Sequence, residues 1–410
     1  MFIESNGRVQ RQVGVKGGHV SVKHTQLASR SKTKGSFSPH PSLIGVYDVL
    51  CDAFLPEGFP QSVTDDYLEY QTWDTFQALC SSVTGTLSTR AVLQGFGVGQ
   101  AEATLLSGTL SWVLRDCTGM IARLVLAAHM ASDLDNDNKR WRLVADVTND
   151  LAMMIEIFSA CLPEGLFMIC VCIASILRAV CGVSGGSSRA SLTQHFATRR
   201  NTADVSAKDG SQETAASFIG MWFGMLVAYL VPATSLFGTA VIFLFFTAAH
   251  LYCNYKAVCS VCLRHFNQTR AHLCMSQFVT QGSIPSCSWV NRRDVLLRCP
   301  LSVTFGAQLS DALPHIGKDQ LFESPAHHFA VVSTGSSFVI VLRDGCTSDQ
   351  MLLAYFMCVS YKMGGKGLVR LTPSILKHFE EFTKAAEEGG YNCANPQFRV
   401  RDWRVMPISA

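Results

Sequence analysis

Gly182-Val-Ser-Gly-Gly-Ser-Ser-Arg-Ala-Ser-Leu-Thr-Gln-His-Phe-Ala-Thr-Arg-Arg-Asn-Thr-Ala-Asp-Val-Ser-Ala-Lys-Asp-Gly-Ser-Gln-Glu213 is a polar stretch set between two strongly apolar regions, and the fold class turns on reading it as a hinge between them. In its second half Asn201, Asp204, Lys208 and Gln212 recur at i, i+3, i+7 and i+11, so a helix would carry them on one face. Asp204 and Lys208 stand in the favourable i,i+4 order. Before the hinge, residues 166–180 are almost continuously apolar. After it come two more apolar runs, 215–231 and 233–252, parted at Pro232. Each approaches the roughly 20 residues that a bilayer-crossing helix needs. Arg199, Arg200 and Lys208 precede this pair and Lys256, Arg264 and Arg270 follow it, which suits a hairpin with both ends on one side of a membrane. The competing reading is a hairpin buried in a protein core.

Composition agrees with the bilayer. Of 410 residues, 48% are hydrophobic and 16% charged, below the roughly 25% charged of soluble domains. A net charge of +3 without arginine-aromatic interleaving gives no argument for nucleic acid. Of the sixteen cysteines, Cys161, Cys170, Cys172, Cys181 and Cys253 lie inside apolar runs, where a free thiol behaves as a small hydrophobe. That pattern points to a reducing environment.

Residues 1–41 hold Arg8, Arg11, Lys16, Lys23, Arg30, Lys32 and Lys34 against Glu4 alone. They read as a disordered basic tail, with an organelle transit peptide as the alternative of similar composition, and they hold no secretory apolar core. Ser62 as N-cap and the spacing of Tyr67, Tyr70, Trp73, Phe76, Cys80 and Val83 predict a helix over 62–83. Gly95-Phe-Gly-Val-Gly99 lacks a preceding strand and reads as small-residue packing, not a nucleotide loop. Residues 104–130 are apolar except for Arg115, Asp116 and Arg123, which predicts a helix buried in protein or lying at an interface. Asp133, Asp135 and Asp137 imitate a calcium loop, but Asn138 replaces the turn glycine and Val144 the bidentate glutamate. Beyond them Arg142, Asp146 and Asp150 form a second polar stripe, whose bland reading is a solvated face. Cys259, Cys262, His265 and Cys274 lack the second pair of a zinc finger, so no metal site is assigned. From about Pro300 the chain reads as soluble. It predicts a hairpin at 329–333 and 338–342, helices at 348–361 and 373–388, and a last strand at 398–405. His327-His328 reads as a loop pair.

Two phrases occur twice in order. Leu55-Pro-Glu-Gly58 recurs as Leu162-Pro-Glu-Gly165, and Val83-Thr-Gly-Thr-Leu-Ser-Thr-Arg-Ala-Val-Leu93 as Val183-Ser-Gly-Gly-Ser-Ser-Arg-Ala-Ser-Leu192. Their shared order suggests a duplicated unit of roughly 100 residues, with Arg90 and Arg189 equivalent.

Phe54-Leu-Pro-Glu-Gly-Phe-Pro-Gln-Ser-Val63, Trp112-Val-Leu-Arg-Asp116, Asp135-Asn-Asp-Asn-Lys-Arg-Trp-Arg-Leu-Val-Ala-Asp146 and Asn254-Tyr-Lys-Ala-Val258, in this order, resemble the root UVB sensitive family from about residue 49 to about 270. The resemblance implies a membrane-associated protein, linked in plants to light-dependent development, auxin distribution and vitamin B6 balance. It supplies no established reaction and leaves the cofactor open.

The expected architecture is therefore mainly α. A basic tail (1–41) precedes a helical membrane domain with an internal repeat (42–275) and a small α+β domain (276–410). The expected function is that of a multi-pass, non-enzymatic membrane protein, a carrier or a scaffold for partner proteins, in contact with lipid and able to form homo- or hetero-oligomers with family members. The alternative is an enzyme or cofactor-handling protein of vitamin B6 metabolism, which no catalytic motif supports. Apposed, the stripes Arg142, Asp146, Asp150 and Asn201, Asp204, Lys208, Gln212 would enclose a polar binding site.

Overall fold

The computed structural model describes residues 2–5, 9–16, 19–26, 41–97, 105–134, 136–232, 235–294, 299, 301–312, 314, 321–324, 328–335, 337–364, 372–401 and 403–405. The chain divides into two compact units, residues 1–67 with 193–215, and residues 68–192 with 216–410.

In the first unit, β1 (Phe2–Ser5), β2 (Val9–Lys16) and β3 (His19–Gln26) form an antiparallel meander. The expectation of disorder rested on charge, scattered small polar residues and the reading that no apolar period is present. It passed over the alternation of Val9, Val13 and Val15 with polar residues, the period-2 pattern of a strand. Helix α1 (Pro41–Phe54) follows. The segment after it is tied to the turn at 197–201 by a bridge between Val63 and Ala197 and by the Thr64 N–H donating to the Phe196 carbonyl. Tyr67 is buried between the rings of Phe59 and Phe196.

Seven helices form the greater part of the fold beyond α1. Six of them are α2 (Tyr67–Gly95), α3 (Leu105–Leu134), α4 (Asn138–Ser159), α5 (Glu164–Phe196), α6 (Thr202–Leu230) and α7 (Leu236–Ser260). The seventh, α8 (Gln268–Gln281), belongs to the C-terminal core. The presumed hinge is therefore mostly helix. Ser184 and Ser188 lie fully buried on α5, and Gly185 brings that helix against Ala145 of α4. Small polar side chains thus allow close packing here, and the break shrinks to residues 197–201. Helix α2 starts at Tyr67, not at Ser62, and runs on to Gly95. The expected hairpin is present, α6 ending at Leu230 and α7 beginning at Leu236, with Phe223 against Phe246 across it.

Helices α5, α6 and α7 are each long and apolar enough to cross a membrane. Phe218, Trp222, Leu226 and Tyr229 on α6 and Phe237, Leu244 and Phe245 on α7 are exposed. Helix α3 is not buried in protein, one of the two placements expected for it. Leu110, Val113, Leu114, Met120, Ile121, Leu124 and Val125 form an exposed apolar stripe, while Arg115 turns inward. Gly220 and Gly224 of α6 bring it against α2. A Cβ at Gly220 would lie 2.7 Å from the Leu79 carbonyl oxygen, and one at Gly224 2.8 Å from Thr86. This is the small-xxx-small packing of helices in apolar surroundings. Gly220→Val is expected to destabilise the protein by about 1–3 kcal/mol through overpacking. Gly186→Ala, whose Cβ meets open space, serves as the control. Melting in detergent measures both, and equal melting temperatures would contradict this packing.

The C-terminal part holds α9 (Cys287–Arg293), β4 (Ser302–Phe305), α10 (Leu309–Ala312), β5 (Leu321–Ser324), β6 (Phe329–Ser333), β7 (Ser337–Leu342), α11 (Ser348–Gly364) and α12 (Pro373–Glu388). The sheet has the order β4-β7-β6-β5, with β4 parallel to β7 and the other pairs antiparallel. Leu352 to Val359 are buried without interruption, so α11 is covered on every side, by α8 and β6 among others. Phe266, Ala271, Cys274 and Met275 belong to the same core, which therefore begins before the expected boundary at 275–276. In place of the expected last strand there are single bridges, Phe305 to Val400 and Arg343 to Val405. His328 lies in a turn, and His327 is outside the described residues.

Candidate functional site: a buried polar column

Helix α4 buries an unusual face. Lys139, Asp146, Asp150 and Glu156 are each no more than 7% exposed, and Arg142 lies among them. Steps of three and four residues place Lys139, Arg142, Asp146 and Asp150 along one side, and Glu156 follows six residues on, over a rise of about 26 Å from first to last at 1.5 Å per residue. Charged groups are almost never fully buried unless paired, so each position needs a partner from another helix.

At the N-terminal end, Lys139 Nζ donates to the carbonyl of Val261 (2.7 Å), to the carbonyl and Oδ1 of Asn291 (2.8 and 2.9 Å) and to Asp294 Oδ1 (3.4 Å). Asp294 Oδ2 also accepts from Arg270 Nη1 at 2.6 Å. Burial pulls the Lys139 ammonium below its usual range, and Asp294 opposes that shift.

In the middle, Arg142 Nη2 donates to Asp74 Oδ1 (2.6 Å) and to Gln77 Oε1 (3.2 Å). Gln77 and Asn254 donate through their side-chain amides to Asp146 Oδ2. His250 Nδ1 meets Asp150 Oδ2 at 2.8 Å, and its Nε2 lies 3.2 Å from Gln77 Nε2. Toward the C-terminal end, Glu156 accepts from Arg115 (3.2 Å), from Arg178 Nε (3.2 Å) and from Ser88. Among the described residues, Arg142 Nε, Asp150 Oδ1 and Asn254 Oδ1 are buried polar atoms without a hydrogen-bond partner.

The structure thus gathers Arg142, Asp146 and Asp150 into one interior site, and each stripe engages partners of its own unit. Asn201 donates to the Ser62 carbonyl (3.1 Å), Asp204 accepts from the Glu57 N–H (2.8 Å), Lys208 donates to the Asp52 carbonyl, and Gln212 donates to the Phe54 carbonyl (2.6 Å). These four side chains hold backbone groups of residues 52–62. Lys208→Met is therefore expected to cost only about 1 kcal/mol, the net worth of an ordinary hydrogen bond. A melting shift of the size produced by losing a buried ion pair would contradict that assignment.

Arg90 on α2 donates to the carbonyls of Ala228 (2.6 Å) and Val231 (2.9 Å) at the end of α6, and Arg189 lies half-buried on α5. A duplication relating the two remains a proposal that the sequence phrases carry. Among the described residues, no group of three or more His, Cys, Asp or Glu is placed to hold a metal ion. The partners Asp74, Gln77, His250 and Asn254 were missed in sequence, as were Lys139 and Glu156. Lys139 continues the stripe at i−3 from Arg142, Glu156 stands six residues beyond Asp150 and about a third of a turn off its face, and His250 is a polar break in an apolar run.

Fold and site together define a mainly helical protein with, among the described residues, three helices long and apolar enough to cross a membrane and a charged column buried on a fourth. The chain belongs to the root UVB sensitive family. Residues 42–282 match the family model described as the vitamin B6 photo-protection and homoeostasis domain. Among curated proteins it is 50% identical to RUS family member 1 of Dictyostelium discoideum over 255 residues, 62% of this chain and 48% of that one, so the match spans about half of that relative's length. It is 41% identical to protein root UVB sensitive 3 of Arabidopsis thaliana over 391 residues, 89% of this chain and 87% of that protein. No solved structure matches it.

Proposed function

We propose that this protein is an integral membrane carrier, with α5, α6 and α7 crossing the bilayer and the α4 column binding a polar solute in the interior. The observation that carries the reading is the column's middle, where a donor at Arg142 and acceptors at Asp150 and Asn254 are buried without partners. Buried polar groups are otherwise almost always satisfied, and unmatched ones clustered at one site complement a ligand. Ionisable groups placed among membrane helices mark solute and ion paths by default. The exposed apolar faces of α3, α6 and α7 are then the lipid-contacting surface.

The description of the family model directs the choice of solute to vitamin B6 compounds. Asp74, Asp146 and Asp150 outnumber Arg142 in the column's middle, which favours unphosphorylated, neutral or cationic vitamers over the phosphate ester. The test is uptake of pyridoxal, pyridoxine, pyridoxamine and pyridoxal phosphate into liposomes containing the purified protein. Saturable uptake of an unphosphorylated vitamer, lost in Asp146→Asn, is the expected result. A folded protein that moves none of them would exclude the carrier reading for this solute class and favour a scaffold. Carbonate extraction checks membrane insertion separately, and release into the soluble fraction would overturn it.

A further inference from the structure

We propose that His250, bridged by Gln77 to Asp146 and bonded directly to Asp150, is a proton-operated switch through which solute movement is coupled to protons. The coupling rests on the carrier reading above, and the switch itself does not.

Charge is the starting point. Arg142 is bonded to Asp74 at 2.6 Å and also acts on Asp146, so for Asp146 and Asp150, one helical turn apart on the same buried face, His250 is the group in contact that can take up a further positive charge. Two carboxylates in one site repel each other, so positive charge brought between them is favoured. The other titratable groups facing the site are Tyr70 and Cys80 on α2, Cys181 on α5 and Cys253 on α7. Phenols and thiols of ordinary pKa are neutral near pH 7, so none offers the missing charge. Glu156 lies apart, with Arg115 and Arg178 as its own cations.

The hydrogen bonds then assign the proton. Gln77 Oε1 accepts from Arg142, which turns the amide nitrogen toward Asp146 and His250. Nε2 of His250 must therefore accept from Gln77, and the ring proton sits on Nδ1, donated to Asp150. In this arrangement the imidazole is neutral. A proton arriving from solvent forms an N–H bond at the Nε2 lone pair, with no other covalent bond made or broken. It sets an N–H of the ring against an N–H of Gln77. Gln77 has to rotate, and rotation gives up its bond to Asp146 or the one it accepts from Arg142. Protonation at α7 is thereby transmitted to α4 and, through Arg142, to Asp74 on α2. A bistable hydrogen-bond arrangement of this kind is what a coupled carrier needs to change state.

The experiment uses the full chain in proteoliposomes, uniformly labelled with nitrogen-15 histidine. Solid-state nuclear magnetic resonance follows the ring nitrogens from about pH 5 to about pH 9, across the range in which imidazole titrates. One of the twelve histidines is expected to pass from the Nδ1–H neutral form to imidazolium, with its signal absent in His250→Gln. Gln77→Met keeps every titrating group and removes the bridge. It is expected to move the midpoint by about one pH unit, a tenfold change in proton affinity, and it serves as the test if His250→Gln does not fold. A His250 that stays neutral throughout, or a midpoint unmoved by Gln77→Met, overturns the switch. Replacement of the pH response by a sodium or potassium response at constant pH also overturns it, in favour of a metal cation. Solute flux indifferent to an imposed pH gradient overturns the coupling and leaves the carrier standing. A titrating His250 in a protein that moves no solute overturns the carrier and leaves the switch.

Discussion

Asp294→Asn is expected to destabilise the protein by about 3–5 kcal/mol, the cost of removing one partner from a buried ion pair. Asp294 is 4% exposed and is the anion shared by Lys139 and Arg270, themselves buried to a similar degree. An amide of the same shape keeps one acceptor but cancels neither charge. Arg270 cannot shed its proton, whereas Lys139, already pulled below its usual range by burial, can. The sign of the pH dependence follows. A lysine that is neutral in the folded variant and charged when unfolded gives the unfolded chain the greater number of bound protons. The stability of Asp294→Asn therefore rises with pH toward the ordinary lysine value of 10.5, more steeply than in the parent protein. Melting in detergent across a pH series measures both effects. An unchanged melting temperature at neutral pH would show that the Lys139–Asp294–Arg270 group is not held in the interior.

Glu156→Gln is expected to cost about 3 kcal/mol or more, again because buried positive charge loses its partner. The larger share comes from Arg115, whose side chain is 15% exposed, against 35% for Arg178, which water can partly serve. Exchange of a whole buried pair for apolar groups is often near neutral. Adding Arg115→Met to Glu156→Gln should therefore restore part of the lost stability. A double variant less stable than Glu156→Gln would mean that Arg115 contributes through its ring contact with Trp112 or its packing, and not mainly through Glu156.

The sequence made the helical architecture legible wherever apolar length was decisive. The hairpin at Pro232, the C-terminal strand pair and both C-terminal helices follow directly from run length and periodicity. It misled where small polar residues were taken as breaks. Ser184, Gly185 and Ser188 look like a linker in composition, yet a neighbouring helix buries them. The Gly220 and Gly224 pair shows the same physics and could have been read from its spacing within an apolar helix.

For the site, spacing alone located Arg142, Asp146 and Asp150. Spacing could not say what they face, because Asp74, Gln77, His250 and Asn254 come from helices whose positions are fixed only by tertiary packing. The stripe on α6 has equally regular spacing and does something else, holding the backbone of residues 52–62. Periodicity reports a shared face, and burial of that face has to come from the fold.

The partners of α4 are scattered along the chain in a way that constrains how the protein is made. On the membrane reading, α4 leaves the ribosome when Asp74 and Arg115 already exist, but Arg178, 22 residues beyond Glu156, and His250, 100 residues beyond Asp150, do not. A lone charge at a bilayer centre costs roughly 2.5–3.5 kcal/mol on insertion scales. Stepwise entry would thus strand Asp150 and half-satisfied Glu156 in lipid. On the same reading α4 is expected to wait at the membrane surface until α5 and α7 have been synthesised and only then to pack against them, so the order of translation would not be the order of assembly. A nascent chain halted before α7 would keep α4 accessible to protease and to chaperones, and release of the last helices would close that window.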